Sequence, residues 1–101
     1  GLVVIVSFIT PLQKFREQAR NLIGDEDYFE VFVKASFETC RQRDVKGLYA
    51  KANDGEIEDF TGKDSAFEEP VSSWLCIDTE SEDPGKSSDI LFRAIANEIR
   101  P

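Results

Sequence analysis

Residues 2–8 form an almost unbroken apolar run, Leu2 to Val6 and then Phe8 with only Ser7 between, rich in Val and Ile. That composition predicts a strand covered on both faces in a parallel sheet. The pattern then switches. Thr10 is the expected N-cap of a helix and Pro11 its first residue, where the missing N–H costs nothing. Leu12, Phe15, Ala19 and Leu22 recur at helical spacing, with Gln13, Lys14, Arg16, Glu17 and Arg20 on the opposite face. Gly24 is placed to stop the helix.

After an acidic turn at Asp25–Asp27, Tyr28 to Val33 reads as a second short strand, interrupted only by Glu30. A helix is predicted from about Phe37 to Arg43, its start poorly marked because Lys34, Ala35 and Ser36 offer no capping box. Phe37 and Cys40 are its core-facing pair. From Asp44 to Pro70 the pattern loosens into a polar stretch with three glycines, a helical piece at about Leu48 to Ala52, and the aromatics Tyr49, Phe60 and Phe67. A segment of that length inside a compact domain reads as a lid or binding loop. Trp74 to Ile77 gives a third strand. An acidic loop from Asp78 to Asp83 then leads to a last helix, N-capped by Ser87 or Ser88 and lined by Ile90, Leu91, Ala94, Ile95 and Ile99.

Strand and helix alternate throughout, which predicts an α/β fold with a parallel sheet and helices on its faces. A three-stranded sheet leaves an exposed edge that something should cover. With Gly1 lying in mid-strand, the upstream half of the same domain is the expected cover.

The chain has 101 residues, enough for one domain with one modest core. Twelve basic and twenty acidic side chains give a net charge of -8, which repels nucleic acid and anionic membrane. The longest apolar run falls far short of the roughly 20 residues needed to span a bilayer. It has no basic segment ahead of it and no small-residue cleavage pattern behind it, so it does not read as a signal peptide. Cys40 and Cys76 are the only cysteines. Their separation and apolar settings predict buried free thiols in a reducing cytoplasm. Histidine is absent, which removes Ser-His-Asp and Cys-His catalysis and most zinc chemistry.

Four local features carry candidate chemistry. Gly85-Lys86-Ser87 matches the close of a phosphate loop, but the first glycine of that pattern would fall at Glu80, so an ordinary turn and helix cap is the better reading. Phe8-Ile9-Thr10-Pro11 sets a hydroxyl and backbone N–H groups at the carboxyl end of a strand, where open α/β sheets bind ligands, although Thr10 serves equally as a cap. Arg41, Arg43 and Lys46 cluster against the acidic trend of the chain, and are either a solvated surface or a site for bound phosphate or sulfate. Phe60, in Asp-Phe-Thr-Gly, is either a stacking platform for a base or a loop anchor.

Taken together, Arg43-Asp44-Val45-Lys46-Gly47-Leu48-Tyr49, Gly55-Glu56-Ile57, Phe60-Thr61-Gly62 and Asp64-Ser65 resemble, in order and spacing, the lid of adenylylsulfate kinases. Val6 to Pro11 with Arg16 resembles that family's Ser-Phe-Ile-Ser-Pro segment and its following arginine. Glu30 to Val33, Cys40 and Ile77-Asp78-Thr79 agree as well, so the likeness covers essentially the whole chain.

The resemblance implies a P-loop kinase-like three-layer fold, present here only as its C-terminal part, with residues 1–101 the end of the domain and a lid at about 44–70. It implies transfer of the γ-phosphate of ATP to the 3'-hydroxyl of adenylylsulfate, with Mg2+ accompanying ATP, in a cytoplasmic enzyme of sulfate assimilation. Ile9, Thr10, Arg16, Lys46, Asp59 and Phe60 are then expected at the adenylylsulfate, and Arg43, Thr61 and Gly62 at the ATP. Thr10 stands at the family's serine position, a residue sometimes proposed to carry phosphoryl. Threonine keeps the hydroxyl and adds a crowding methyl. Ala50, Asn53, Glu58 and Asp59 replace residues that are more often basic or small in relatives.

No Gly-rich phosphate loop, Asp-Gly-Asp or Arg-x-x-Asn segment occurs in these residues, so the Walker A segment is absent and the 101 residues alone are expected to be inactive. The competing expectation is a non-catalytic kinase-like module fused to a sulfate adenylyltransferase. A homodimer is compatible with either.

Overall fold

A computed structural model describes residues 1–44, 46–53, 55 and 66–99. In chain order these give α1 (Gln13–Ile23), β1 (Val31–Lys34), α2 (Phe37–Arg43), α3 (Leu48–Asn53), β2 (Leu75–Asp78) and α4 (Pro84–Glu98). β1 and β2 pair in parallel, with Val31 opposite Leu75, Phe32 opposite Cys76, Val33 opposite Ile77 and Lys34 opposite Asp78. α2 and α3 lie in the crossover between them, and α4 packs back on β2. The α/β class with a parallel sheet therefore holds.

The sheet has two strands among the described residues, not three. Residues 1–9 form no regular element and are exposed, Phe8 at 83%. Apolar composition alone does not make a strand, because its backbone groups need a neighbour to pair with. β1 and β2 pair with each other, and residues 1–9 with neither.

Helix boundaries shift for local reasons. Leu12, not Thr10, is the N-cap of α1, and it makes no side-chain cap bond. Thr10 has left the extended backbone a cap requires, with φ +42°. Gly24 ends the helix as expected, at φ +99° with its N–H on the Arg20 carbonyl. α1 keeps the expected faces only in part: Leu12 and Ala19 are half-buried and Lys14 and Glu17 exposed, as the pattern predicts, but three positions depart from it. Arg16, placed on the solvent side by the pattern, is buried, while Leu22 is 87% exposed and Phe15 is exposed too. An apolar stripe goes inward only where another element meets it, and among the described strands and helices none packs extensively against α1.

Ser36 turns out to be a true N-cap of α2, its Oγ accepting from the Thr39 N–H. Asp83, with Pro84 at the first helical position, caps α4 by accepting from the Lys86 N–H at 2.8 Å. Ser87 and Ser88 therefore sit inside that helix. A carboxylate followed by proline is the stronger start signal, and the earlier position wins.

Ile77 is the buried apolar side chain among the described residues, 5% exposed. Two aromatic pairs add to the packing: Phe29 meets Trp74 edge-on at 5.0 Å, and Phe37 meets Tyr49 at 5.4 Å. Both cysteines are free, but neither is buried: Cys40 is half-buried, and Cys76 is exposed because its strand is covered on one face only.

Candidate functional site

The turn between residue 9 and α1 is built around one buried guanidinium. Arg16 Nε donates to the Thr10 carbonyl at 3.0 Å, and Nη1 donates to Gln13 Oε1 at 3.1 Å. Its Nη2 donates to the carbonyls of Pro11 and Glu68. The Phe67 ring lies under the guanidinium at 5.3 Å from its centroid, and Phe67 in turn sits 6.2 Å from Phe32 of β1. Glu68 closes the other side. Its N–H donates to the Pro11 carbonyl, and its Oε1 accepts from the Gln13 N–H at the free amino end of α1. The sequence marked Thr10 and Arg16 but not Glu68, whose partner is 55 residues away in the chain. No local pattern signals such a pair.

A second corner gathers at the end of the sheet. Arg43, the last residue of α2, donates to Thr79 Oγ1 at 3.0 Å and to the Thr79 carbonyl at 2.8 Å. Thr79 Oγ1 donates onward to the Lys34 carbonyl at the end of β1. Arg43 and Thr79 line a recess with Glu82, Asp83, Pro84, Ser87 and Ser88. Within its walls Glu82 Oε2 and Ser87 Oγ are buried with no hydrogen-bond partner. At the opposite end of α2, Glu80 accepts from the Ser36 N–H, Ser36 Oγ and Thr39 Oγ1. Those bonds, Thr39's first, hold its carboxyl below the usual glutamate range. The two strand-end residues Thr79 and Glu80 thus tie down both ends of α2.

Asp44 links α2 to α3. It ends α2 in a left-handed conformation, φ +24°, and its carboxylate oxygens accept from the Tyr49 and Ala50 N–H groups at 3.1 and 3.3 Å. Lys46 is exposed in the short turn so formed, followed by Gly47 at φ +66°. Only a residue without a Cβ adopts that φ without strain.

The structure thus brings Thr10 and Arg16 into contact, leaves Ile9 exposed beside them, and sets Lys46 three residues beyond Arg43 at the other corner. Asp59, Phe60, Thr61 and Gly62 lie outside the described residues. Arg41 is held on its own helix by Glu38 rather than joining the basic cluster. No helix of the described residues is long and apolar enough to cross a membrane.

A family model described as adenylylsulphate kinase matches residues 1–78. Among curated proteins, an adenylyl-sulfate kinase of Bacteroides thetaiotaomicron is 43% identical over 99 residues, covering 98% of this chain and 49% of that protein. One from Pseudomonas aeruginosa is 51% identical over 84 residues, 83% of this chain and 43% of the relative. The bifunctional enzyme NodQ of a Rhizobium species is 56% identical over 70 residues, which span 69% of this chain and 11% of that enzyme. Among solved structures, the Mycobacterium tuberculosis APS kinase CysC in complex with AMPPNP and APS superposes with a TM-score of 0.70. It is 36% identical, and the match covers 84% of this chain and 50% of that one. The chain spans about half the length of the curated kinases it matches.

Proposed function

The chain belongs to the adenylylsulphate kinase family, and on that premise we propose that residues 1–101 are the C-terminal, substrate-closing part of such a kinase domain. The reaction is transfer of the γ-phosphoryl of ATP to the 3'-hydroxyl of adenylylsulfate, giving ADP and the 3'-phosphorylated sulfate donor, in the cytoplasm. The observation that carries this reading is the likeness to a kinase whose structure holds AMPPNP and APS.

In this reading Ile9 and Thr10 face the adenylylsulfate, Lys46 reaches its charged groups, and Phe60 with Asp59 closes over its adenine. Arg43, with Thr61 and Gly62, stands on the ATP side, at the recess it shares with Thr79 and Pro84. Phosphoryl transfer through a loose transition state needs positioned cations and excluded water more than a covalent helper. A lid at about 44–70 supplies both when it closes. Magnesium accompanies ATP and neutralises charge on its phosphates when bound. Among the described residues no three His, Cys, Asp or Glu side chains gather where they could hold a metal. The part assigned to this chain is to bind and orient the two nucleotides.

The 101 residues contain no Gly-x-x-x-x-Gly-Lys-Ser/Thr segment, and alone they are expected not to turn over. A coupled assay of ADP release with ATP, Mg2+ and adenylylsulfate tests both statements. Activity is expected in the full-length protein and absent from the 101-residue chain, and turnover by the short chain near that of a complete kinase defeats the second. The relationship to a bifunctional enzyme favours one further reading, a kinase-like nucleotide-binding module fused to a sulfate adenylyltransferase. Calorimetry with adenylylsulfate separates the two. Binding abolished by Phe60→Ala and Lys46→Ala supports the kinase half-site, and indifference to both supports the module.

A further inference from the structure

Arg16 has little donor capacity or exposed surface left to offer a ligand. It is 5% exposed, and all three guanidinium nitrogens donate within the protein, three of the four bonds going to backbone carbonyls. Those carbonyls belong to two segments far apart in sequence: Thr10 and Pro11 on one side, Glu68 on the other. The same two segments are joined again by the Glu68 N–H on the Pro11 carbonyl and by Glu68 Oε1 on the Gln13 N–H. Thr10 itself sits at φ +42°, a conformation a β-branched residue keeps only where its surroundings impose it.

We infer that Arg16 is a positioning residue: through the carbonyls of Thr10, Pro11 and Glu68 it latches the returning arm of the 44–70 segment onto the turn that presents Thr10, and it sets that turn without touching the substrate. The inference rests on the reading that Thr10 faces the adenylylsulfate. It assigns Arg16 a role other than the direct contact the family resemblance implies, because the planar fork that serves three carbonyls is already spent. It also makes residues 66–68 part of the wall on the adenylylsulfate side.

Lysine at position 16 discriminates between the two roles. A charge contact with the sulfate or phosphate survives Arg16→Lys, whereas a latch to several carbonyls does not, since one ammonium on a flexible stem cannot reproduce the fork. The full-length protein and its Arg16→Lys, Arg16→Met and Glu68→Ala variants are compared by steady-state kinetics and by amide hydrogen exchange at Gln13 and Glu68. In both Arg16 variants the KM for adenylylsulfate is expected to rise at least tenfold with the KM for ATP within twofold. Exchange at the Glu68 amide is expected to quicken at least tenfold. Glu68→Ala changes an exposed side chain and leaves Arg16 in place, so it should fold whatever becomes of the other two. In it, exchange at the Gln13 amide quickens and the KM for adenylylsulfate rises about threefold. An Arg16→Lys enzyme with the parental KM for adenylylsulfate overturns the inference, as do Gln13 and Glu68 amides that keep their protection in every variant. If the parent does not phosphorylate adenylylsulfate at all, the functional reading fails separately, and amide exchange alone decides whether the latch exists.

Discussion

Arg43 holds Thr79 by both of its oxygens, the hydroxyl at 3.0 Å and the carbonyl at 2.8 Å. The last residue of α2 is thereby fastened to the first residue beyond β2, and Thr79 carries the link on to β1 through the Lys34 carbonyl. An arginine that ends a helix next to an open recess is both a structural tie and an exposed cation, and the two roles are separable by experiment.

Replacing Arg43 with alanine in the full-length protein removes two charge-assisted bonds and the cation on the proposed ATP side. The KM for ATP is expected to rise about tenfold, equivalent to roughly 1.4 kcal/mol. The KM for adenylylsulfate should stay within about twofold if the two nucleotides occupy separate corners, and steady-state kinetics with each substrate varied in turn measures both. An equal rise in the two values refutes the assignment of Arg43 to ATP.

The Glu80 carboxylate gives the fold a pH-dependent component of known sign. Its folded-state pKa is lowered, mainly by the Thr39 and Ser36 hydrogen bonds, from an ordinary value of 4.5. The stability it contributes is therefore fully present above pH 4.5 and is lost as pH falls from there through the folded value. Thermal melts of the parent and of Glu80→Gln should differ at neutral pH, with the parent more stable, and the gap should narrow progressively below that point. A gap that stays constant with pH would show that the clamp does not depend on the charge.

Ile77→Ala should cost about 2–5 kcal/mol of folding stability, since it empties the buried centre of the packing around β2. The contrasting control is Val71→Ala, at a position 94% exposed, which should stay within about 0.5 kcal/mol. Chemical denaturation of both variants tests the pair.

Gly24 adopts φ +99° and ψ 142°, a region closed to side-chain-bearing residues. A Cβ built there meets nothing within 4 Å, so the cost of Gly24→Ala is conformational rather than steric with neighbours. A loss of about 1–3 kcal/mol is expected, read as a lower denaturation midpoint.

Much of the architecture was legible in the residue pattern. The helices at 13–23, 37–43 and 84–98 follow apolar spacing with identifiable stops, and both strands of the sheet fall within or beside short β-branched runs. The turn from α2 into α3 was legible too, because Asp44 and Gly47 must occupy particular backbone conformations there, and those two residue types tolerate them.

Composition and periodicity by themselves determined the α/β class and the parallel pairing, which rest on local propensity, while the family came from the likeness of short motifs to those of a known family. They could not determine what is buried. The pattern sent Arg16 outward and residues 2–8 into a sheet, and both expectations failed because burial is decided by which distant segment arrives. Phe67 and Glu68 came back to cover the arginine, whereas residues 2–8 pair with neither strand of the sheet and stay exposed. Only the tertiary structure could show that the turn holding Thr10 is shaped by contacts made across more than fifty positions of chain.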